Sequence, residues 1–242
     1  MEEMKNLIID IGNTRMKAAI FEGEILVMEK AFHDISELRE FSKSVEFDHC
    51  IISSVIAVDL EAALGFPFLL LTKDTELPIE NHYATPETLG VDRKAAAVGG
   101  RVMLEKGPVL VIDLGSCITY EFLNEKNQYL GGAISPGLNM RFKAMHTQTA
   151  KLPLVGLEDS QSIRLIGDST EMGLRSGVYF GVQFEMEGFM QAYRSQHQDL
   201  KVIICGGDSK FFESLTKDHI FVIPNLVLYG LNRILTYNVN KK

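Results

Sequence analysis

At 242 residues with 46% hydrophobic side chains, the chain has enough apolar material for one large or two compact domains, which excludes a disordered or fibrous protein. Its 24 Lys and Arg stand against 32 Asp and Glu, and a net charge of -8 excludes the broad cationic surface that sequence-independent nucleic-acid binding requires. Any anionic ligand must therefore be held locally, by backbone N–H groups, a few cations or a metal.

The first element is the apolar run Leu7-Ile8-Ile9, which stops on Asp10 and turns through Ile11-Gly12-Asn13-Thr14. It reads as a strand delivering a carboxylate into a turn, where Gly12 permits close backbone approach and Asn13 and Thr14 offer donors to phosphate oxygens. Alone, an Asp-x-Gly turn reads first as an ordinary hairpin, because both residues are standard turn formers. A near copy follows about a hundred residues later, Leu110-Val111-Ile112-Asp113-Leu114-Gly115-Ser116-Cys117, and repetition at the end of a second buried-looking strand weakens that reading.

After the first turn, Met16 to Phe21 continues extended, and Glu22-Gly23 turns into a third strand at Glu24 to Met28. Asp34 with Glu37 resembles a capping box and predicts a helix over Ile35 to Ser44. Cys50 to Val55 is an almost continuous apolar strand, as expected when helices cover both faces of a sheet. Asp59 predicts a short helix closing at Gly65, followed by a strand from Phe66 to Leu71. From Asn81 to Arg93 the pattern loosens into a polar loop carrying Tyr83, Gly90, Val91, Asp92 and Arg93. Here Asp92 is either part of a binding loop or a helix cap with Arg93 on a solvated face. The helix from Lys94 to about Leu104 is crowded with Ala and Gly, which predicts close packing against another element, and Gly107-Pro108 marks a domain boundary between 1–107 and 108–242.

The second half repeats the plan with a strand from Val109 to Ile112, the Asp113 turn, a strand over Ile118 to Leu123, and a hairpin turn at Glu125 to Gln128. Gly131-Gly132-Ala133-Ile134-Ser135-Pro136-Gly137 is read either as backbone that something approaches closely or as a plain chain reversal. Asp168-Ser169-Thr170 predicts the start of a long helix reaching about Ser195, in which Thr170 is either an N-cap or a ligand contact. Gly173, Gly177 and Gly181 fall on one stripe of that helix and point to a close helix crossing, within the chain or across a dimer. Lys201 to Cys205 is the last central strand, and its Gly206-Gly207 suits a helix entry or a nucleotide contact; Asn225 to Tyr237 closes the chain as an amphipathic helix.

The three cysteines, Cys50, Cys117 and Cys205, are widely spaced in apolar runs and read as core residues in a reducing compartment. Charged residues directly after Met1 and the lack of any apolar stretch of membrane-spanning length lead to the expectation of no signal peptide, no membrane association and a cytoplasmic location.

Two halves that each begin strand, Asp-x-Gly turn, strand, strand, helix and strand resemble the duplicated ribonuclease-H-like unit of the actin-like ATPase and sugar-kinase superfamily. That resemblance implies an α/β fold of two such domains with a nucleotide cleft between them. The order Asp10-Ile11-Gly12-Asn13-Thr14, then Gly90-Val91-Asp92-Arg93, then Asp113 to Thr119, then Gly131 to Gly137 narrows it, because the whole chain then resembles the type III pantothenate kinases. One departure is that the second turn, usually D-x-G-T-A-x-T in that family, carries Ser116 and Cys117 here; Ser116 keeps the hydroxyl.

The resemblance implies ATP-dependent phosphorylation of the terminal hydroxyl of pantothenate, with Asp92 as general base. It implies that Asp10, Ile11, Gly12, Asn13, Thr14, Arg15, Met16 and Lys17 hold the ATP phosphates, with Asp10 also meeting the Mg²⁺ that accompanies ATP, and that Ser116 contacts ATP. Tyr83, Gly90, Val91, Asp92, Arg93 and Thr170 are the implied pantothenate contacts, and Asp113 the implied ligand of a monovalent cation, K⁺ or NH₄⁺. A homodimer without nucleic-acid or membrane partners completes the expectation. Two rivals remain, a kinase for another small alcohol and a non-catalytic nucleotide-binding accessory protein that regulates transcription.

Overall fold

The structure, a computed structural model, describes residues 3–13, 15–158, 162–216 and 219–241. Its chain divides into two compact units, one comprising 1–106, 123–130 and 225–242 and the other 107–122 and 131–224. Among the described residues no helix is long and apolar enough to cross a membrane.

The first unit opens with β1 (Lys5–Ile11), β2 (Met16–Glu22), β3 (Ile25–Phe32), α1 (Ile35–Ser44), β4 (His49–Ser54), α2 (Leu60–Leu64), β5 (Leu69–Leu70), β6 (Glu80–Asn81) and α3 (Val91–Met103). The second unit begins with β7 (Val109–Leu114) and β8 (Cys117–Leu123). β9 (Gln128–Pro136), α4 (Leu138–Gln148), α5 (Thr170–Gln196), β10 (Lys201–Cys205) and β11 (Ile220–Val222) follow, and α6 (Leu226–Val239) returns to the first unit.

In the first unit the sheet order is β3-β2-β1-β4-β5, antiparallel from β3 to β1 and parallel from β1 to β5. The second sheet contains β9-β8-β7-β10-β11, the same order counted from its own first strand, and β10 is parallel to both β7 and β11. The duplication read from the two Asp-x-Gly runs is thus a duplication of strand order. Within the first unit, β6 pairs in parallel with the first residues of β9, Glu80 beside Gln128 and Asn81 beside Tyr129.

Both faces of β1 are covered, which accounts for its unbroken apolar run. Successive side chains alternate between faces. Leu7, Ile9 and Ile11 join a core with Leu38 of α1 and Leu60 and Leu64 of α2, whereas Ile8 joins one with Ala95 and Val98 of α3 and Leu228 and Leu231 of α6. Asp10 has the parity of Ile8, so its side chain belongs to the α3 and α6 face. The expected close packing of α3 is with α6: a Cβ on Gly230 would lie 1.9 Å from the Ala95 carbonyl oxygen, and one on Gly99 would lie 2.4 Å from that of Leu226.

Local signals located several boundaries. Asp34 accepts from the Ser36 and Glu37 N–H groups at the start of α1, while Glu37 reaches back to the His33 N–H. Asp59 accepts from the Ala62 N–H, and Gly65 ends α2 with φ 76°. Other expectations need correction. The strand expected over Phe66 to Leu71 shrinks to Leu69–Leu70, because only Ile51 and Ile52 offer it a register. α3 starts at Val91 and not at Lys94, so Val91, Asp92 and Arg93 form its first turn. Gly131 to Pro136 is strand and not a reversal, and Gly132 lies so close to β8 that a Cβ there would stand 1.8 Å from the Tyr120 carbonyl oxygen. The N-cap of α5 is Ser169, whose hydroxyl accepts from the Met172 N–H, and Thr170 is the first helical residue. Beyond the backbone of its own helix, a Cβ on Gly173, Gly177 or Gly181 would meet no described atom of this chain within 4 Å.

Candidate active site

The register of the first sheet assembles one row of polar side chains. In the antiparallel ladder Asp10 stands opposite Lys17, and in the parallel ladder it stands beside Ser53. Paired residues on adjacent strands project to the same face, so Lys17, Asp10 and Ser53 lie side by side at the C-terminal end of β1. That face is covered by α3 and α6, and both helices begin there. The Lys17 ammonium donates to Asn225 Oδ1 at 3.2 Å, immediately before α6, and Asn225 in turn donates to the Glu29 carboxylate. Asp92, in the first turn of α3, is near enough to Asp10 for its charge to act on it.

Asp10 feels that environment directly. Removal from water pushes its carboxyl from 3.8 up to about 6; the Ser53 hydroxyl opposes the rise, the Asp92 charge adds to it, and Lys17 opposes it. Two carboxylates and one ammonium leave the row short of positive charge, beside two helix N-termini whose N–H groups favour an anion. A phosphate chain carrying a divalent cation matches both properties. Among the described residues no group of three or more His, Cys, Asp or Glu is arranged to hold a metal; a cation carried by the phosphates would find the Asp10 carboxylate in the row.

The turn after β1 is tight. The Gly12 N–H donates to the Arg15 carbonyl at 3.0 Å, and a Cβ on Gly12 would meet that oxygen at 3.2 Å. Asn13 and Arg15 are exposed and Met16 and Lys17 half-buried, while Ile11 is a buried core residue; Thr14 lies outside the described residues.

Tyr83, Arg93 and Asp92 form the adjoining wall. Arg93 is buried, which sets aside the reading of a solvated helix face. Its guanidinium lies over the Tyr83 ring at 5.4 Å and donates to the Tyr83 hydroxyl at 3.4 Å, and Tyr83 stacks on Tyr129 with ring centroids 6.1 Å apart. Asp92 Oδ1 accepts from the Arg93 N–H at 2.9 Å, and no side chain caps the helix, so Asp92 is not the N-cap; Gly90 holds that position. Ser53 and Asn225 are members of the row that the sequence reading did not assign. The pair of hydroxyls closing the apolar strand β4 was a signal for Ser53, whereas nothing near Asn225 distinguished it.

In the second unit Asp113 pairs in register with Cys205, and the following Gly206 adopts φ 89° with so little room that a Cβ would stand 2.3 Å from Asp113 Oδ1. Gly206 thus serves the approach to the Asp113 carboxylate, whereas a Cβ on Gly207 would meet no described atom within 4 Å. Ser116 is exposed in the turn closed by the Gly115 N–H donating to the Cys117 carbonyl at 3.0 Å, and Thr170 is exposed at the start of α5.

Comparison with known proteins decides the family. Residues 6–192 match the family model described as type III pantothenate kinase. The chain belongs to the type III pantothenate kinase family. Type III pantothenate kinases of Cytophaga hutchinsonii and Flavobacterium johnsoniae are 43% and 39% identical to it, each alignment covering 97% of this chain and 100% and 98% of the relative. Among solved structures, a Campylobacter jejuni protein assigned to the Baf family of transcriptional activators matches with a TM-score of 0.64 at 23% identity, covering 97% of this chain and 99% of that one. Component A of the (R)-2-hydroxyglutaryl-CoA dehydratase of Acidaminococcus fermentans matches with a TM-score of 0.58 at 13% identity over 98% of each chain. Both likenesses concern the fold alone, an α/β fold of two ribonuclease-H-like domains.

Proposed function

We propose that the chain transfers the γ-phosphoryl group of ATP to the terminal hydroxyl of pantothenate, giving 4'-phosphopantothenate, the first step towards coenzyme A. Membership of the type III pantothenate kinase family supports the substrate pair. The observation that carries the chemistry is the row Lys17-Asp10-Ser53 with Asp92 at its edge.

In this reading the substrate hydroxyl gives its proton to Asp92 as its oxygen attacks the γ-phosphorus. The bond from that phosphorus to the bridging oxygen breaks, and ADP leaves with the electron pair. Phosphoryl transfer asks mainly for positioning and charge stabilisation. Asp10 and the segment from Ile11 through Gly12, Asn13, Thr14, Arg15 and Met16 to Lys17 hold the phosphates, and the Lys17 ammonium, already oriented by Asn225, meets the charge that develops on them. Mg²⁺ bound with ATP would supply charge neutralisation, and Asp10 would be the carboxylate that shares it. Ser116 contacts ATP, and Asp113 takes a monovalent cation, K⁺ or NH₄⁺.

Pantothenate carries a carboxylate and an amide, for which Arg93 and the Tyr83 hydroxyl are the matching groups, joined by the backbone of Gly90 and Val91 and by Thr170. The protein acts as a homodimer in the cytoplasm; the glycine stripe of α5, open on the chain's own surface, supports the dimer. The test is ADP release with ATP, Mg²⁺, K⁺ and either pantothenate or a panel of other small alcohols. Pantothenate-dependent release that falls when K⁺ is withdrawn is expected. Release only with another alcohol moves the chain to the sugar-kinase reading, and ATP binding without release under any condition moves it to the regulatory one.

A further inference from the structure

The second unit holds a cluster that the proposed chemistry leaves unused. Glu185, half-buried on α5, accepts hydrogen bonds from three different elements: the Tyr120 hydroxyl of β8 at 2.9 Å, the Ser135 hydroxyl of β9 at 2.5 Å and the Arg141 guanidinium of α4 at 2.5 Å. Burial pushes the Glu185 carboxyl up, but the three donors outweigh it and hold the group below its ordinary range.

The contacts continue past the carboxylate. Arg141 also donates through Nε to the Pro136 carbonyl at 2.8 Å, so one guanidinium joins Glu185 to the end of β9. The next residue, Gly137, donates its N–H to the Ser116 carbonyl at 3.2 Å. That junction is tight, since a Cβ on Gly137 would stand 2.3 Å from the Gly115 carbonyl oxygen and 2.6 Å from that of Ser116. A continuous chain of contacts therefore runs from Glu185 through Arg141 and Pro136-Gly137 to the Gly115-Ser116 turn. A partly buried ion pair is weak as a stabilising device, because desolvation offsets much of its attraction. Its particular capacity is direction: the bifurcated guanidinium fixes where the Pro136-Gly137 backbone lies.

We propose that Glu185 is a positioning residue for the nucleotide, acting through Arg141 on the Gly115-Ser116 turn. This rests on the assignment of Ser116 to ATP under the proposed function. Glu185→Gln preserves volume but turns an amide towards Arg141, and Arg141→Lys preserves charge but replaces the two separated donor nitrogens, one for Pro136 and one for Glu185, with a single one and so loses the planar fork.

The experiment measures KM for ATP and for pantothenate, kcat and Tm for the wild type and both variants. KM for ATP is expected to rise about tenfold in each variant while KM for pantothenate stays within about twofold. A lowered Tm with both KM values within twofold of wild type would make Glu185 purely structural and overturn the proposal, as would equal rises in both. Should Glu185→Gln fail to fold, Arg141→Lys decides by the same criterion. Should the wild type bind ATP without turnover, the pantothenate kinase reading fails separately. Calorimetric ATP affinity then decides, about tenfold weaker in the variants supporting the positioning role and unchanged affinity removing it.

Discussion

A Cβ on Gly90 would stand 2.4 Å from Oδ1 of Asp92. The carboxylate is folded over the glycine and held there by the Arg93 N–H at 2.9 Å. Gly90 has φ -55°, a conformation open to any residue, so the requirement for glycine is one of space.

Gly90→Ala therefore tests whether the carboxylate must occupy that place. The methyl group displaces Asp92 by rotation of its side chain, a movement the half-buried turn tolerates. Turnover is expected to fall about tenfold or more, since small misplacements of a reacting group are costly, while Tm shifts by no more than a few degrees. Unchanged kcat in a folded Gly90→Ala protein would show that the observed position of Asp92 is not the working one.

Asp92→Asn removes the base and leaves the size of the side chain. A loss of at least roughly a hundredfold in kcat is expected, the usual scale for a general base, with ATP affinity preserved. Steady-state kinetics beside calorimetric ATP binding separates the two quantities, and near-normal turnover would remove Asp92 from the role.

Two glycine-to-alanine changes should act in opposite directions. Gly230→Ala drives a methyl group against the Ala95 backbone carbonyl, 1.9 Å from its oxygen, so α3 and α6 must separate. A cost of about 1–3 kcal/mol is expected, read as a lower urea midpoint at unchanged slope. Beyond the backbone of its own helix, Gly177→Ala meets no described atom within 4 Å, and it gains helix propensity of up to about 1 kcal/mol. Sedimentation then tests the dimer: weaker self-association of Gly177→Ala places the stripe in the interface, and unchanged self-association takes it out.

The elements that the sequence located are those whose determinants are local. Asp34 and Glu37, or Asp59 and Gly65, fix a helix end within a few residues, and the apolar runs of β1 and β7 need only a covered sheet. What escaped depends on partners distant in the chain. β5 is cut short by what β4 can pair with, and α3 gains a turn because Arg93 finds burial against Tyr83. The same holds for the site. Asp10 and Asp92 were legible as a carboxylate before a glycine and a carboxylate in a polar loop, whereas Asn225 joins the row only because α6 begins beside Lys17. Nothing local in the sequence distinguishes Glu185; it is set apart only because β8, β9 and α4 each aim a donor at it.

Asp10 links the site to stability. Its carboxyl is raised from 3.8 to about 6 in the folded chain, chiefly by burial, with the Ser53 hydroxyl opposing, the Asp92 charge adding and Lys17 opposing. A carboxyl that holds its proton more tightly when folded contributes its full share of stability below pH 3.8. That contribution is lost as the pH rises through about 6, so at pH 7 the ionised side chain works against the fold in the absence of ligand. Asp10→Asn should therefore raise the Tm of the ligand-free protein at pH 7, by a stability gain on the order of 1–2 kcal/mol, and the gain should shrink towards pH 4. The same substitution removes the carboxylate that faces the phosphates, so saturating ATP with Mg²⁺ should stabilise the wild type far more than the variant, and turnover should drop by at least about a hundredfold. Thermal melts of both proteins from pH 4 to 8, with and without ATP and Mg²⁺, check the stability expectations, and steady-state kinetics checks the third. A variant that is less stable than wild type at pH 7, or that gains as much from ATP, would mean that Asp10 serves the fold and not the nucleotide.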